Sequence, residues 1–370
     1  MSISHSPVVI RFGRLGDILL LQPLLQELHR RYGMPCRLLA VGTWPAPLYA
    51  KQPEVGEVIA LEAAHRPLLL SVQRCRAVLA LRRMRDAPFY ICEPEPRALA
   101  KIRRMLALAG VAQDHCVFIT ETSAMSEVHW VDRMLAFGMH TPKAFTAVAK
   151  PAAATVAAPR LQVCAAECAD LDHWLDTHGL RGHPLVLLQP ANKRTIRWSG
   201  VRHAADDDKS WPVERWAALT QAVLARRPDA RVLLCGSPAE AAYLETIRIA
   251  CGDPAVITVA GELPLGRLKA LLSIAHSMIS VDTGPAHIAA AVGCPLVVLF
   301  GSGSPLQWMP RSACQSAVSA LGGPPLSRRV DAITLAQVIV AWQQLPPRAL
   351  NIAEAVYQSA GTGVMDHSAG

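Results

Sequence analysis

Two short stretches combine acidic, hydroxyl and glycine residues at spacings that could handle a proton or an anion. In "VVIRFGRLGDILLLQPLLQEL" (residues 8–28), Asp17 follows Gly16 and precedes a long apolar run. A carboxylate in such a turn either takes part in chemistry or caps the helix behind it, accepting free N–H groups and facing the positive end of the helix dipole. In "SMISVDTGPAHIAAAVGCPLVVLFGSGSP" (residues 277–305), Asp282, Thr283 and Gly284 fall where a strand passes into a helix, with His287 one turn further on. Free backbone N–H groups at a helix start attract anions such as phosphates, and the Thr283 hydroxyl can add a donor. The structural alternative makes Asp282 and Thr283 caps and His287 a solvated helical histidine.

A third constellation, "QPANKRTIRWSGVRHAADDDKSWPVERW" (residues 189–216), carries Lys193, Arg194, Arg197, Arg202 and Lys209 in a loop between a strand and a helix that begins around Pro212. Cations next to helix N-termini suit a diphosphate. The dinucleotide fingerprint G-x-G-x-x-G and the P-loop are both missing, which argues against a nicotinamide oxidoreductase or an NTPase. Two Asp-x-Asp triplets, Asp170 with Asp172 and Asp206 with Asp208, read as solvated charges rather than ligands of a metal-bound diphosphate. Cys164 and Cys168 share a helical spacing but lack the His or second Cys pair of a zinc site.

The elements that must position these residues alternate. Val8–Arg11 reads as a buried strand, residues 12–17 as the turn and Ile18–Leu28 as a helix; strands follow at Arg37–Val41 and Val55–Leu61, then the helical "RPLLLSVQRCRAVLALRRMR". Such alternation implies a parallel sheet, and ligands of open α/β sheets bind at the carboxyl ends of the strands, where the Asp17 turn lies. Residues 141–160 are rich in Ala and Pro and read as a connection. After a helix near Ala165–His178, a second series contains the strands "LVLLQP", "RVLLCG", "AVITVAG", "SMISVD" and "PLVVLFG", with helices between them and a closing helix at Leu335–Leu345. The expected organisation is an N-terminal Rossmann-like domain over residues 1–160, a C-terminal one over 161–345 and a loosely ordered tail over 346–370.

The 370 residues are 51% hydrophobic, enough for sizeable cores, and no apolar run approaches a membrane span. With no secretory leader and scattered cysteines most of which read as reduced core residues, the expected location is the cytoplasm. The net charge of +8 gathers in Arg74, Arg76, Arg82, Arg83 and Arg85 and again in Arg97, Lys101, Arg103 and Arg104. No helix-turn-helix, zinc finger or aromatic-rich RNA motif accompanies them, so nucleic acid is not the expected partner. An anionic lipid headgroup or phosphorylated glycolipid fits the charge, as does a plain solvated helix face.

Together, "IRFGRLGDILLLQPLL", "KSWPVERWAAL", "LLCGSPAE" and "SVDTGPAHIAAAVGCPLVVLFGSGSP" resemble the family 9 glycosyltransferases, the lipopolysaccharide heptosyltransferases, over about residues 7–345. The resemblance implies a GT-B architecture, in which two Rossmann-like domains with parallel sheets face each other across a cleft. It implies Asp17 as general base of an inverting transfer, and Lys209, Glu240, Asp282, Thr283, Gly284 and His287 as groups on the nucleotide sugar. Arg14, Arg82, Arg83 and Lys101 are candidates for the acceptor. The implied donor is ADP-heptose and the implied acceptor a lipopolysaccharide core or other anionic glycolipid, met at the cytoplasmic face of the inner membrane, with no cofactor or metal. The chain departs from the commoner family pattern at Gln189, Pro190 and Ala191, where many members carry a His-Pro-Gly turn, and in the longer loop 191–208. A sugar-nucleotide epimerase on the same fold and a non-enzymatic envelope-binding protein are the alternatives.

Overall fold

The computed structural model describes residues 5–61, 72–122, 127–147, 156–197, 200–201 and 206–348. The first part of the basic helical stretch, part of the 141–160 connection, Arg202 and nearly all of the expected tail lie outside the described residues, as does the side chain of Arg197.

Two parallel sheets organise the chain. The first joins β1 (Val8–Arg11), β2 (Cys36–Val41), β3 (Val55–Leu61), β4 (Phe89–Ile91) and β5 (Cys116–Phe118) in the order β3-β2-β1-β4-β5. The chain continues through β6 (Leu185–Gln189), the two-residue ribbon strands β7 (Ile196–Arg197) and β8 (Gly200–Val201), then β9 (Arg231–Leu234), β10 (Val256–Thr258), β11 (Ser277–Val281), β12 (Leu296–Phe300) and β13 (Val318–Gly322). The second sheet has the order β10-β9-β6-β11-β12-β13. Every residue of β1, β6, β11 and β12 is buried, as expected for strands covered by helices on both faces. Each sheet reverses its winding beside its first strand, between β1 and β4 and between β6 and β11. Crevices at the carboxyl ends of such strands are where open α/β sheets bind ligands. This is the GT-B architecture.

The expected helix over Ile18–Leu28 starts earlier and is broken. Its first part, Leu15–Leu19, places Asp17 inside the first turn, and a second helix runs over Gln22–Tyr32. Pro23 has no N–H to offer the Leu19 carbonyl, so the helical ladder stops there. Most other expected strands and helices agree to within a few residues. The region between residues 86 and 140, which carried no assignment, holds β4, β5 and the helices Pro96–Ala109 and Trp130–Gly138. The connection is stitched to both sheets' surroundings: Gln22 exchanges hydrogen bonds with Arg160 N (2.6 Å) and O (2.7 Å), and Leu161 N donates to Ala291 O at 3.0 Å.

All ten cysteines are free thiols, with Cys36, Cys92, Cys235, Cys251 and Cys294 buried. No described helix is long and apolar enough to cross a membrane.

Candidate active site

Between the two sheets lies a cleft of about 930 Å³. Asp17 enters it from the first half, and Lys209, Glu240, Asp282, Thr283, Gly284 and His287 enter from the second, so residues up to 270 positions apart in sequence share one space. The turn after β1 explains the Asp17 side. Gly13 has no room for a side chain, because a Cβ there would sit 2.5 Å from Asp17 Cβ. The folded-back turn lets Asp17 Oδ2 accept the Arg14 N–H at 2.7 Å, closing the helix start as a cap. Its other oxygen meets the Arg11 guanidinium at 3.2 Å. The capping and functional readings are therefore compatible: the cap fixes the carboxylate, and its side chain keeps 20% exposure toward the cleft.

Arg11 was not among the sequence-derived candidates. It stands at the end of β1, beside the end of β4, where Glu93 accepts Arg11 Nη1 at 3.0 Å and also the backbone N–H groups of Phe12 (2.9 Å) and Glu95 (3.0 Å). Glu93 thus ties the first sheet's winding reversal to the turn that carries Asp17.

On the opposite wall, Lys209 Nζ donates to Asp282 O at 2.9 Å and to Asp282 Oδ2 at 2.5 Å. Two of its three N–H bonds hold the turn after β11, and the ammonium remains on the cleft wall. Thr283 precedes the helix Gly284–Ala291, and its hydroxyl lies 3.0 Å from Ser280 Oγ. His287 is buried rather than solvated, and burial, the largest influence, holds its pKa below the usual histidine value. Its Nδ1 is buried without a hydrogen-bond partner among the described residues. Glu240 is buried at the start of its helix, with one oxygen accepting Ser237 N at 2.7 Å, and still lines the cleft.

The loop after β6 departs from its expected reading. Asp208 is not a solvated charge: one oxygen pairs with Arg194 at 2.7 Å, and the other accepts the Ser302 amide at 2.9 Å and its hydroxyl at 2.5 Å. Burial by itself would raise the Asp208 pKa, but the Ser302 hydrogen bonds and Arg194 outweigh it and hold the carboxyl below the ordinary range. Gly301 is required beneath this clasp, since a Cβ there would lie 2.3 Å from Asp208 O. The other triplet lies at the surface as expected, with exposed Asp170 pairing with Arg267 at 2.8 Å and Asp172 with Arg181 at 3.5 Å. Among the described residues no group of three His, Cys, Asp or Glu side chains is placed to hold a metal.

Of the acceptor candidates, the exposed Arg14 lines the cleft. Arg82, Arg83 and Lys101 do not; they are exposed on the helices Val72–Arg83 and Pro96–Ala109.

Residues 176–332 match the profile of glycosyltransferase family 9 (heptosyltransferase). Over 140 residues, 37% of this chain and 37% of the other, the sequence is 37% identical to lipopolysaccharide heptosyltransferase 3 of Escherichia coli. Aligned regions span about a third of the length of the curated relatives above 30% identity. A longer match, 24% identical over 309 residues, covers 80% of this chain and 84% of lipooligosaccharide heptosyltransferase 2 of Haemophilus ducreyi. The fold is similar to that of the E. coli ADP-heptose lps heptosyltransferase II, with a TM-score of 0.66 at 21% identity over 91% of this chain and 97% of that one.

Proposed function

We propose, from the premise that the chain belongs to glycosyltransferase family 9, that it transfers a heptose from ADP-heptose to a lipopolysaccharide-core acceptor with inversion at the anomeric carbon. The observation that carries this reading is the sharing of one cleft by a capped, cleft-facing carboxylate, Asp17, and a cationic strand-to-helix turn built from Lys209, Asp282 and Thr283.

In this scheme the acceptor hydroxyl gives its proton to Asp17 as its oxygen attacks the anomeric carbon. The bond from that carbon to the diphosphate oxygen breaks, and ADP departs with the electron pair. General-base assistance of this kind contributes roughly 10²–10⁴-fold. Arg11 and the Arg14 N–H hold the carboxylate in place without consuming all of its lone pairs. Negative charge grows on the leaving diphosphate, so its stabilisers are preorganised donors: the third N–H of Lys209 and the free amides at the start of Gly284–Ala291. His287, kept neutral by burial, can donate from only one ring nitrogen at a time. Glu240, which lines the same cleft, accepts hydroxyls of the nucleoside in this scheme. Charge on the diphosphate is met by side chains, so the scheme uses no cofactor and no metal. Exposed Arg82, Arg83 and Lys101 are available to anionic headgroups at the cytoplasmic face of the inner membrane, where such an acceptor would be anchored.

The test is product formation by the purified chain in EDTA, with ADP-heptose and with UDP- and GDP-linked sugars, against a panel of truncated lipopolysaccharide acceptors. Transfer from ADP-heptose in EDTA, with the product's anomeric configuration opposite to the donor's by NMR, is the expected result. Conversion of a nucleotide sugar without any acceptor would identify an epimerase instead. Absence of transfer from every donor would overturn the proposal.

A further inference from the structure

Contacts between the two halves fix which end of one sheet faces which end of the other. The helix Pro45–Tyr49, which follows β2, lies against the helix Leu265–Ile274, which follows β10. Leu15–Leu19, after β1, lies against Gly284–Ala291, after β11, and Trp130, beyond β5, stacks on Trp308, beyond β12. The β2 side of the first sheet therefore faces β9 and β10 of the second. At that end the cleft is walled by Cys235, Glu240, Leu263 and Leu268 from the second half, and by Val41 and Trp44 from the first. In the proposed transfer this is the nucleoside's end, since Glu240 stands there, while Asp17 and Lys209 serve the reacting bond.

The turn after β2 is shaped to hold the Trp44 ring. Gly42 has φ of +100°, a conformation that other residues rarely adopt, and a Cβ on it would lie 2.5 Å from Trp44 Nε1. The indole thus folds back over the glycine. Gly42 N donates to Leu61 O at 2.7 Å, Leu48 N donates to Trp44 O at 3.1 Å, and Tyr49 Oη donates to Ile18 O at 2.7 Å. Trp44 is in this way anchored to the helix that carries Asp17. Trp308 also lines the cleft, but it stacks on Trp130. Trp44 stacks on no other ring among the described residues and is only half-buried. A fixed aromatic surface and two leucines, brought to one end of the cleft from opposite halves, suit a flat heteroaromatic ring.

Resting on the proposed glycosyl transfer, we infer that Trp44 is the first half's wall of a nucleobase subsite, stacking on the purine of the nucleoside diphosphate whose ribose meets Glu240. The nucleotide is then gripped by both halves, and the ring that reads the base is tied to the element that carries Asp17.

The test is calorimetric titration of the full chain with ADP and with ribose 5-diphosphate, which keeps the sugar and both phosphates but lacks the base. Wild type is expected to bind ADP about tenfold or more tighter than the base-free probe. Trp44→Ala is expected to lower ADP affinity about tenfold and to leave the base-free probe unchanged, while Trp44→Phe keeps most of the ADP affinity. Circular dichroism of both variants excludes misfolding. Equal affinity of wild type for the two probes, an ADP affinity untouched by Trp44→Ala, or an equal loss for both probes overturns the assignment. ADP binding that depends on Trp44 in a protein that transfers no sugar refutes the transferase reading and leaves the subsite. Transfer by Trp44→Ala with an unchanged donor KM refutes the subsite and leaves the transferase reading.

Discussion

At the scale of single residues, the site depends on two ion pairs with different duties. Arg11 and Glu93 have side chains only 8% and 2% exposed, so neither charge can be left alone cheaply. Removing one partner of such a buried pair costs about 3–5 kcal/mol. Glu93→Ala is therefore expected to lower unfolding free energy in urea by an amount of that order and to slow the proposed transfer by releasing Arg11 from the Asp17 turn. A loss below about 1 kcal/mol would show that the pair is not the anchor inferred here. In the proposed transfer Lys209 stabilises the leaving group, and Lys209→Ala is expected to lower kcat by roughly 10²–10³-fold, as loss of a preorganised donor does. Steady-state kinetics that show only a raised donor KM would assign Lys209 to uniform binding instead. Asp17, Lys209 and Asp282 were legible in the sequence because each stands beside a glycine or proline turn with recognisable spacing. Arg11 and Glu93 were not: they are 82 residues apart, and a cation ending a strand has no distinguishing pattern until the sheet order places β4 beside β1.

At the scale of elements, the two halves meet through the helices Leu15–Leu19 and Gly284–Ala291, and a glycine on each makes the approach feasible. A Cβ on Gly16 would lie 2.8 Å from His287 Cδ2, and one on Gly284 would lie 2.8 Å from Leu15 Cδ2. Gly16→Ala is accordingly expected to destabilise the protein by about 1–3 kcal/mol, the usual cost of overpacking, and to push the Asp17 turn away from the opposite wall of the cleft. A thermal melt and transfer kinetics both equal to wild type would contradict that close contact. The glycines could be read as turn residues from sequence, but not as contact points between helices about 270 positions apart. Element recognition failed for similarly physical reasons. The three-residue strands β4 and β5 are too short to show a period, and the edge strand β13, "VSALG", mixes small and polar residues at half-buried positions. The expected single helix over Ile18–Leu28 runs across the break that Pro23 imposes, because the apolar run there masks it.

At the scale of the whole molecule, a clasp beside the site joins the halves. His129 Nε2 lies 2.8 Å from Met309 O, Asp132 pairs with both terminal nitrogens of Arg311 at 2.6 Å, and Trp130 stacks on Trp308 between them. The neutral His129 ring donates from Nε2 and accepts Val131 N at Nδ1. Burial pushes the His129 pKa down to about 4, against an ordinary value of 6.5. The unfolded chain therefore binds this proton first on acidification, so the stability it lends is whole above pH 6.5 and is lost as pH falls towards 4. Denaturant titrations of wild type and His129→Gln should show a steeper decline for wild type over that interval; parallel declines would contradict a neutral, buried His129. The two alternating series made the doubly wound sheets readable from sequence, whereas the clasp was not, since its partners are about 180 residues apart. The proposed transfer rests on one carboxylate, Asp17, in the cleft between the two sheets. The decisive measurement is single-turnover transfer from ADP-heptose by wild type and Asp17→Asn, with donor affinity determined on the same preparations. A fall of roughly 10²-fold or more in the chemical step at unchanged donor affinity is expected of a lost general base; turnover by Asp17→Asn equal to wild type would reduce Asp17 to a helix cap and refute the mechanism.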